Sequence, residues 1–471
     1  MNTPIVDFVR RYAQQRTTRM HMPGHKGRGP LGCEELDITE IAGADELYEA
    51  EGIIAQSEAN ATQLFGTART YYSTEGSSQC IRAMLHLALQ MRPAKAGRPV
   101  LLAARNAHKA LLYAAALLDF DIQWLWPAPD AAGALCTCPV EPEALSSALD
   151  ELSAEGRTPF GVYLTSPDYL GFVQDIAGLS AVCHAHGLPL LVDNAHGAYL
   201  HFLKEGSRHP IHLGADLCCD SAHKTLPVLT GGAYLHLGPS VQADEAAVRN
   251  ALALFGSTSP SYLILQSLDA ANAVLADSFR EKLDICRWRL GMLCRELDAL
   301  RPGLALPLTG AHREPLKLTL DAAALGLSGQ QLAQALRERG VECEYADPRY
   351  VVLMPSAESS AAEFACLQTA LHAICDEAPA SDVSVTTDDP AAFAALAGAL
   401  EAQPRRFTIR EAVLAPQEMI PVAEAVGRIC AAPAVSCPPA IPIVVSGETV
   451  PPEALPLFAR YGIEKAAVIK E

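Results

Sequence analysis

The chain has 471 residues, half of them hydrophobic, and a formal net charge of −18, with an isoelectric point near 5.2. That length supports two or three domains with a sizeable buried core and excludes a small binding module. The acidic balance argues against nucleic acid or anionic membrane as the main partner, because phosphate-rich surfaces select basic proteins.

The amino terminus, Met1 to Arg11, has no apolar segment before a small-residue cleavage site, and no uncharged apolar run reaches membrane-spanning length. The 14 cysteines are diluted through a large chain, as at Cys218-Cys219 and Cys366, and read as reduced thiols of a cytoplasmic protein. No metal is expected. There is no Cys-x-x-Cys, Cys136-Thr137-Cys138 lacks a second pair, and Pro23-Gly24 breaks the helix that would align His21 with His25.

In chain order, residues 1–55 read as an amino-terminal segment with one short helix and an irregular loop, Arg19 to Gly27. A helix over 55–65 leads to a strand, Arg69 to Ser73, which runs through Gly76-Ser77-Ser78 into a helix from Gln79 to Leu89. Strands and helices then alternate: strand 100–103, helix 107–118, strand 121–125, helix 141–155, strand 161–165, helix 175–186 and strand 188–193. Apolar strands separated by helices predict an α/β domain over 56–300, its mostly parallel sheet flanked by helices, with ligands at the carboxyl ends of the strands. Residues 241–300 read as helices around a polar turn, Gly256 to Ser261. A smaller α+β domain is expected over 301–380, with strands 316–320, 341–345 and 350–354 and helices 328–339 and 360–376. A carboxyl-terminal domain over 381–471 carries two proline-rich stretches and a last strand, Lys465 to Ile469.

Apolar sequence on both sides of Ser221-Ala222-His223-Lys224 predicts a largely buried lysine. An amine in a low-dielectric site loses its proton more readily, and the neutral amine attacks a carbonyl to form a Schiff base, the chemistry of a pyridoxal phosphate lysine. An exposed loop lysine fits the tetrapeptide equally well. Asp193 ends an apolar strand, where a carboxylate either keeps a pyridine nitrogen protonated or caps a turn. Gly76-Ser77-Ser78 offers helix-start amides and hydroxyls to a phosphate, or an ordinary helix cap. His108, opening the helix after strand 100–103, has the shape to stack on a pyridine ring. Each signal is weak by itself; their common place at the carboxyl ends of expected strands makes one consistent geometry.

Met22-Pro23-Gly24-His25-Lys26, Gly76-Ser77-Ser78, Arg105-Asn106-Ala107-His108-Lys109, Asp193-Asn194-Ala195-His196-Gly197 and Ser221-Ala222-His223-Lys224 together resemble the ornithine/lysine/arginine decarboxylase family of fold-type-I pyridoxal phosphate enzymes. Thr258-Ser259-Pro260-Ser261-Tyr262 and Pro438-Pro439-Ala440-Ile441-Pro442 extend the likeness over nearly the whole chain. The resemblance implies that Lys224 holds pyridoxal 5'-phosphate, Asp193 its ring nitrogen and His108 its ring face. It further implies that Ser77, Ser78, Ser221 and His223 hold the phosphate, beside Gly76, with His196 close to the ring. Ser257 and Thr258 would reach the phosphate of a neighbouring subunit, which implies at least a homodimer. Glu75, Asp168 and Ala440 differ from common family versions, and the amino-terminal wing domain of the large members is not expected.

The expected function is decarboxylation of arginine, lysine or ornithine to the amine. An aminotransferase or lyase on the same fold remains open, with Arg349 as its candidate carboxylate clamp, as does a non-catalytic cofactor-binding homologue. Asp45, Glu46 and Glu344 are among the carboxylates available to a cationic substrate side chain.

Overall fold

The computed structural model describes residues 1–93, 97–128, 135–378, 390–403, 406–432, 435–437 and 441–470. The expected domain boundary near 380 and Pro438-Pro439-Ala440 of the proline motif lie outside them. Two compact units form, Met1–Pro93 with Cys183–Asp284, and Ala94–Val182 with Ile285–Glu471.

The elements follow the expected alternation. They begin α1 (Pro4–Gln14), α2 (Ile53–Phe65), β1 (Arg69–Ser73), α3 (Ser77–Met91), β2 (Val100–Ala104), α4 (Lys109–Leu118), β3 (Asp121–Leu125) and α5 (Pro142–Ala154). β4 (Val162–Thr165), α6 (Ile176–Ala185), β5 (Leu190–Asp193), β6 (Leu217–Asp220), α7 (Ala222–Thr225) and β7 (Ala233–Leu237) come next, then α8 (Glu245–Ala253), α9 (Tyr262–Asp277) and α10 (Phe279–Leu300). Strand 188–193 starts two residues late, since Pro189 has no N–H to give a ladder.

In the first unit the strands lie in the order β1-β7-β6-β5. β5 and β6 are parallel, whereas β7 runs antiparallel to both β6 and β1. The link from β6 to β7 holds only the one-turn helix α7, too little for a crossover back to the starting end, so β7 returns in the opposite sense. Every residue of β5, β6 and β7 is buried, as a sheet covered on both faces requires. α3 packs against β6 and β7, which sets its amino terminus at the carboxyl ends of β1 and β6.

In the second unit β4, β2 and β3 are parallel neighbours. β8 (Leu318–Asp321), α11 (Gly329–Arg337), β9 (Tyr345–Ala346), β10 (Tyr350–Leu353) and α12 (Ala361–Glu377) follow, with the strands in an antiparallel sheet β8-β10-β9. The strand expected over 341–345 is therefore reduced to its end, because Glu342 and Glu344 face solvent and only Tyr345 and Ala346 pair with β10. Tyr345, Val352, Leu396, Phe458 and Val468 share one apolar cluster, so this sheet and the carboxyl-terminal segment have a common core. The last strand, Lys465–Ile469, pairs with Gln417–Pro421.

Candidate active site

Ser73, the last residue of β1, organises the turn into α3. Its hydroxyl lies 2.5 Å from Gln79 Oε1 and accepts from the Glu75 N–H at 3.1 Å. The Gly76 N–H donates to Gly231 O at 2.8 Å. Gly76 has φ 71° and ψ 178°, a conformation that only glycine adopts readily, and no atom lies within 4 Å of where a Cβ would stand. No side chain caps α3, so the amides of Ser77 and Ser78 begin the helix at its positive end in front of an open approach. Glu75 is exposed, so its carboxylate stands in water rather than in the turn.

One contact ties this turn to α7, and others link α7 to the loop after β5 and β5 to β6. Ser221 Oγ donates to Ser77 Oγ at 2.7 Å, which joins the start of α7 to the start of α3. Lys224 Nζ lies 3.1 Å from His196 Nε2 in the loop after β5. Asp193 Oδ1 accepts from the Ala195 N–H at 3.1 Å and lies 3.7 Å from the Cys219 thiol of β6. Asp193 is 3% exposed and His196 4%. Lys224 is half-buried, more open than the apolar flanks predict, because it sits on α7 at the end of the sheet rather than within it. His223 Nδ1 lies 3.0 Å from Gly232 O; a carbonyl only accepts, so that nitrogen donates, and Nε2 lies on another edge of the ring.

Gly76, Ser77, Asp193, His196, Ser221 and Lys224 are thus joined by the chain and direct contacts, with Ser78 and His223 beside them. His108 opens α4 in the second unit, where its Nδ1 accepts from the Ala110 N–H at 3.2 Å and caps the helix. Ser257 and Thr258 are exposed in the loop between α8 and α9, and Ser257 Oγ accepts from the Ser259 N–H.

Other candidates have structural employment. Arg349 grips Asp321 with Nε at 3.0 and 3.1 Å from the two carboxylate oxygens and Nη2 at 2.6 Å. The Asp45 carboxylate accepts from the backbone of Gly52 and Ile54 and so holds the start of α2. Glu46 and Glu344 are exposed; burial of its surroundings and then the charges of Glu49, Glu40 and Asp45 push the Glu46 carboxyl up.

Sequence reading missed two groups. Gln79, buried, ties the start of α3 to Tyr48 and to the Leu252 carbonyl at the end of α8. Asp220 sits at the end of β6 with His209, His236 and Asn194 around it. The available signals were a carboxylate ending the apolar run Leu217–Cys219 and a histidine inside Ala233–Leu237.

Residues 3–286 match the major domain of the Orn/Lys/Arg decarboxylases, and residues 392–461 match the carboxyl-terminal domain of the same enzymes. The chain belongs to the Orn/Lys/Arg decarboxylase family. It is 27% identical to an arginine decarboxylase of Bacillus subtilis over 471 aligned residues, covering 96% of this chain and 92% of that one. A protein of the same organism known as YaaO is 29% identical, over 98% of this chain and 94% of its own. The constitutive lysine decarboxylase of Escherichia coli superposes with a TM-score of 0.75 at 20% identity, covering 99% of this chain and 80% of the other. The fold is fold type I, the architecture of a large class of pyridoxal phosphate enzymes.

Proposed function

We propose that the protein decarboxylates a basic amino acid, arginine, lysine or ornithine, with pyridoxal 5'-phosphate held in the first unit. The observation that carries this reading is the linkage of Lys224 to His196, of Ser221 to Ser77 and of Asp193 to β6, which gathers an amine, a phosphate-type helix start and a buried carboxylate. The residues fit the cofactor: the amides of α3 are uncapped and Gly76 leaves the room a phosphate needs. When bound, the cofactor supplies the electron sink that stabilises the carbanion left by carbon dioxide.

The chain's own residues would do the rest. The helix start at Ser77 and Ser78, with Ser221 and His223, binds the phosphate. Asp193 holds a proton on the ring nitrogen, and its burial keeps water from competing for that proton. Lys224 would provide the amine that holds the cofactor's aldehyde, and His196, at 3.1 Å, would orient it. Ser257 and Thr258, exposed in a single chain, would serve the phosphate of a second subunit in a homodimer.

The state of Arg349 favours decarboxylation over transamination. An aminotransferase needs a guanidinium to hold the substrate carboxylate through proton loss, and the fork of Arg349 is already engaged by Asp321. With Arg349 so engaged, the carboxylate clamp that an aminotransferase would take from it is not offered. The test is whether carbon dioxide leaves a basic amino acid with no keto-acid acceptor present; release that depends on the acceptor would overturn the proposal.

A further inference from the structure

Behind Asp193 the first unit buries a polar cluster that makes no contact with reacting groups in the reading above. Asp220 is 0% exposed, as is His209, and both lie with His236, also 0% exposed, under the sheet's carboxyl end. Asp220 Oδ2 lies 3.0 Å from His209 Nε2 and 3.2 Å from His236 Nε2. Its Oδ1 accepts from Asn194 Nδ2 at 2.7 Å.

The protons of this cluster can be assigned from its partners. His209 Nδ1 accepts from the Ile211 N–H, so the ring proton of His209 sits on Nε2, facing Asp220. A carboxylate only accepts, so His236 also presents Nε2–H to it and leaves Nδ1 for the Thr70 hydroxyl at 2.8 Å. Burial pushes the His236 imidazole down, which agrees with a neutral ring. Burial alone would raise the Asp220 carboxyl, but the two imidazoles outweigh it and hold the group well below the usual carboxylate range. The cluster therefore directs N–H donors of His209, His236 and Asn194 at one buried carboxylate. His209, Cys218 and Asp220 are ligand types within 4.8 Å of one another. Here both Nε2 positions carry protons, and burial keeps the Cys218 thiol protonated, so the cluster is built around hydrogen bonds to an anion.

Asn194 connects this anion to the site. Its N–H donates to Cys219 O at 2.9 Å while its side chain donates to Asp220, so the turn that begins at Asp193 is held from behind at two points. We propose that Asp220, acting through Asn194, is a positioning residue for Asp193 and sets a second buried negative charge behind it, so that the site selects a pyridine ring carrying a proton on its nitrogen. This rests on the reading of Asp193 as the partner of that nitrogen.

The experiment is equilibrium binding to the protein stripped of cofactor, using pyridoxal 5'-phosphate and its analogue with C–H in place of the ring nitrogen. Wild type should prefer the natural ring. Asp220→Asn should weaken natural-ring binding by on the order of tenfold and analogue binding by less than about twofold, since the analogue cannot carry the proton. Asn194→Ala, which releases the turn without altering a buried charge, carries the same expectation and decides the matter if Asp220→Asn does not fold. Equal losses for both ligands, or no loss for either, would overturn the inference by making the cluster structural only. A wild-type protein that binds neither ligand would remove the reading of the cofactor site itself, and one that binds both alike would remove the reading of Asp193 as the partner of the ring nitrogen.

Discussion

Lys224 Nζ lies 3.1 Å from His196 Nε2, so the amine of α7 is held against the loop that leaves the buried carboxylate of Asp193. A hydrogen bond between these two nitrogens needs a proton on one and a lone pair on the other. Ser221, three residues earlier on the same turn, touches Ser77 at the start of α3.

The first prediction follows from this placement. Borohydride reduction of the wild-type holoprotein should fix the cofactor to the peptide containing Lys224, and Lys224→Ala should carry no covalent cofactor while keeping its fold. Peptide mapping checks it, and label on any other lysine would contradict the assignment.

The exposed segment after Gly256 leads to the second prediction. Gly256 lies so close to the Tyr48 hydroxyl and Gln79 that a Cβ there would collide with both, which fixes where Ser257–Ser259 leave the body of the chain. If these hydroxyls serve a second subunit, co-expressing Lys224→Ala with a Ser257/Thr258/Ser259 triple alanine variant should restore activity in mixed dimers that neither variant shows alone. Purified mixed dimers no more active than the parents would exclude a shared site.

Much of this architecture was legible in the sequence because its strands are apolar throughout and its turns carry glycine. β1 to β5 fall within two residues of the expected positions. β6 and β7 were read only as the apolar surroundings of Lys224, since a connection as short as α7 gives no periodic signal to divide them. Lys224, Asp193 and the Gly76 turn could be found because each ends or follows a strand. Asp220 and His236 each left a local sign at an apolar run, but their partnership did not, as they are brought together by strand pairing between β6 and β7 and joined by His209 from a loop.

The second unit offers a stability prediction. Arg105 donates to both oxygens of Glu448, at 3.1 and 2.9 Å, and stacks between Trp124 and Trp126 at 4.7 and 4.8 Å from their centroids. Both partners are buried, so Glu448→Ala strands a guanidinium and should cost about 3–5 kcal/mol. Denaturant unfolding should show an earlier transition, and an unchanged midpoint would contradict the account.

The fourth prediction concerns pH. Burial first, then His209, His212 and Arg280, push the His201 imidazole down to about 3. Its ordinary value in the unfolded chain is near 6.5, so below that pH the unfolded state takes up a proton that the folded state refuses. Stability is therefore fully present above about 6.5 and is lost as pH falls toward 3. His201→Gln should flatten the fall in melting temperature between pH 7 and 5; a slope equal to that of wild type would count against it.

The central claim is tested most directly by incubating the holoprotein separately with arginine, lysine and ornithine, with and without 2-oxoglutarate, and identifying the products by mass. The account predicts that at least one substrate yields carbon dioxide and its amine without the acceptor, and that the acceptor leaves the yield unchanged. Glutamate formed only when 2-oxoglutarate is present, with no amine in any mixture, would contradict it.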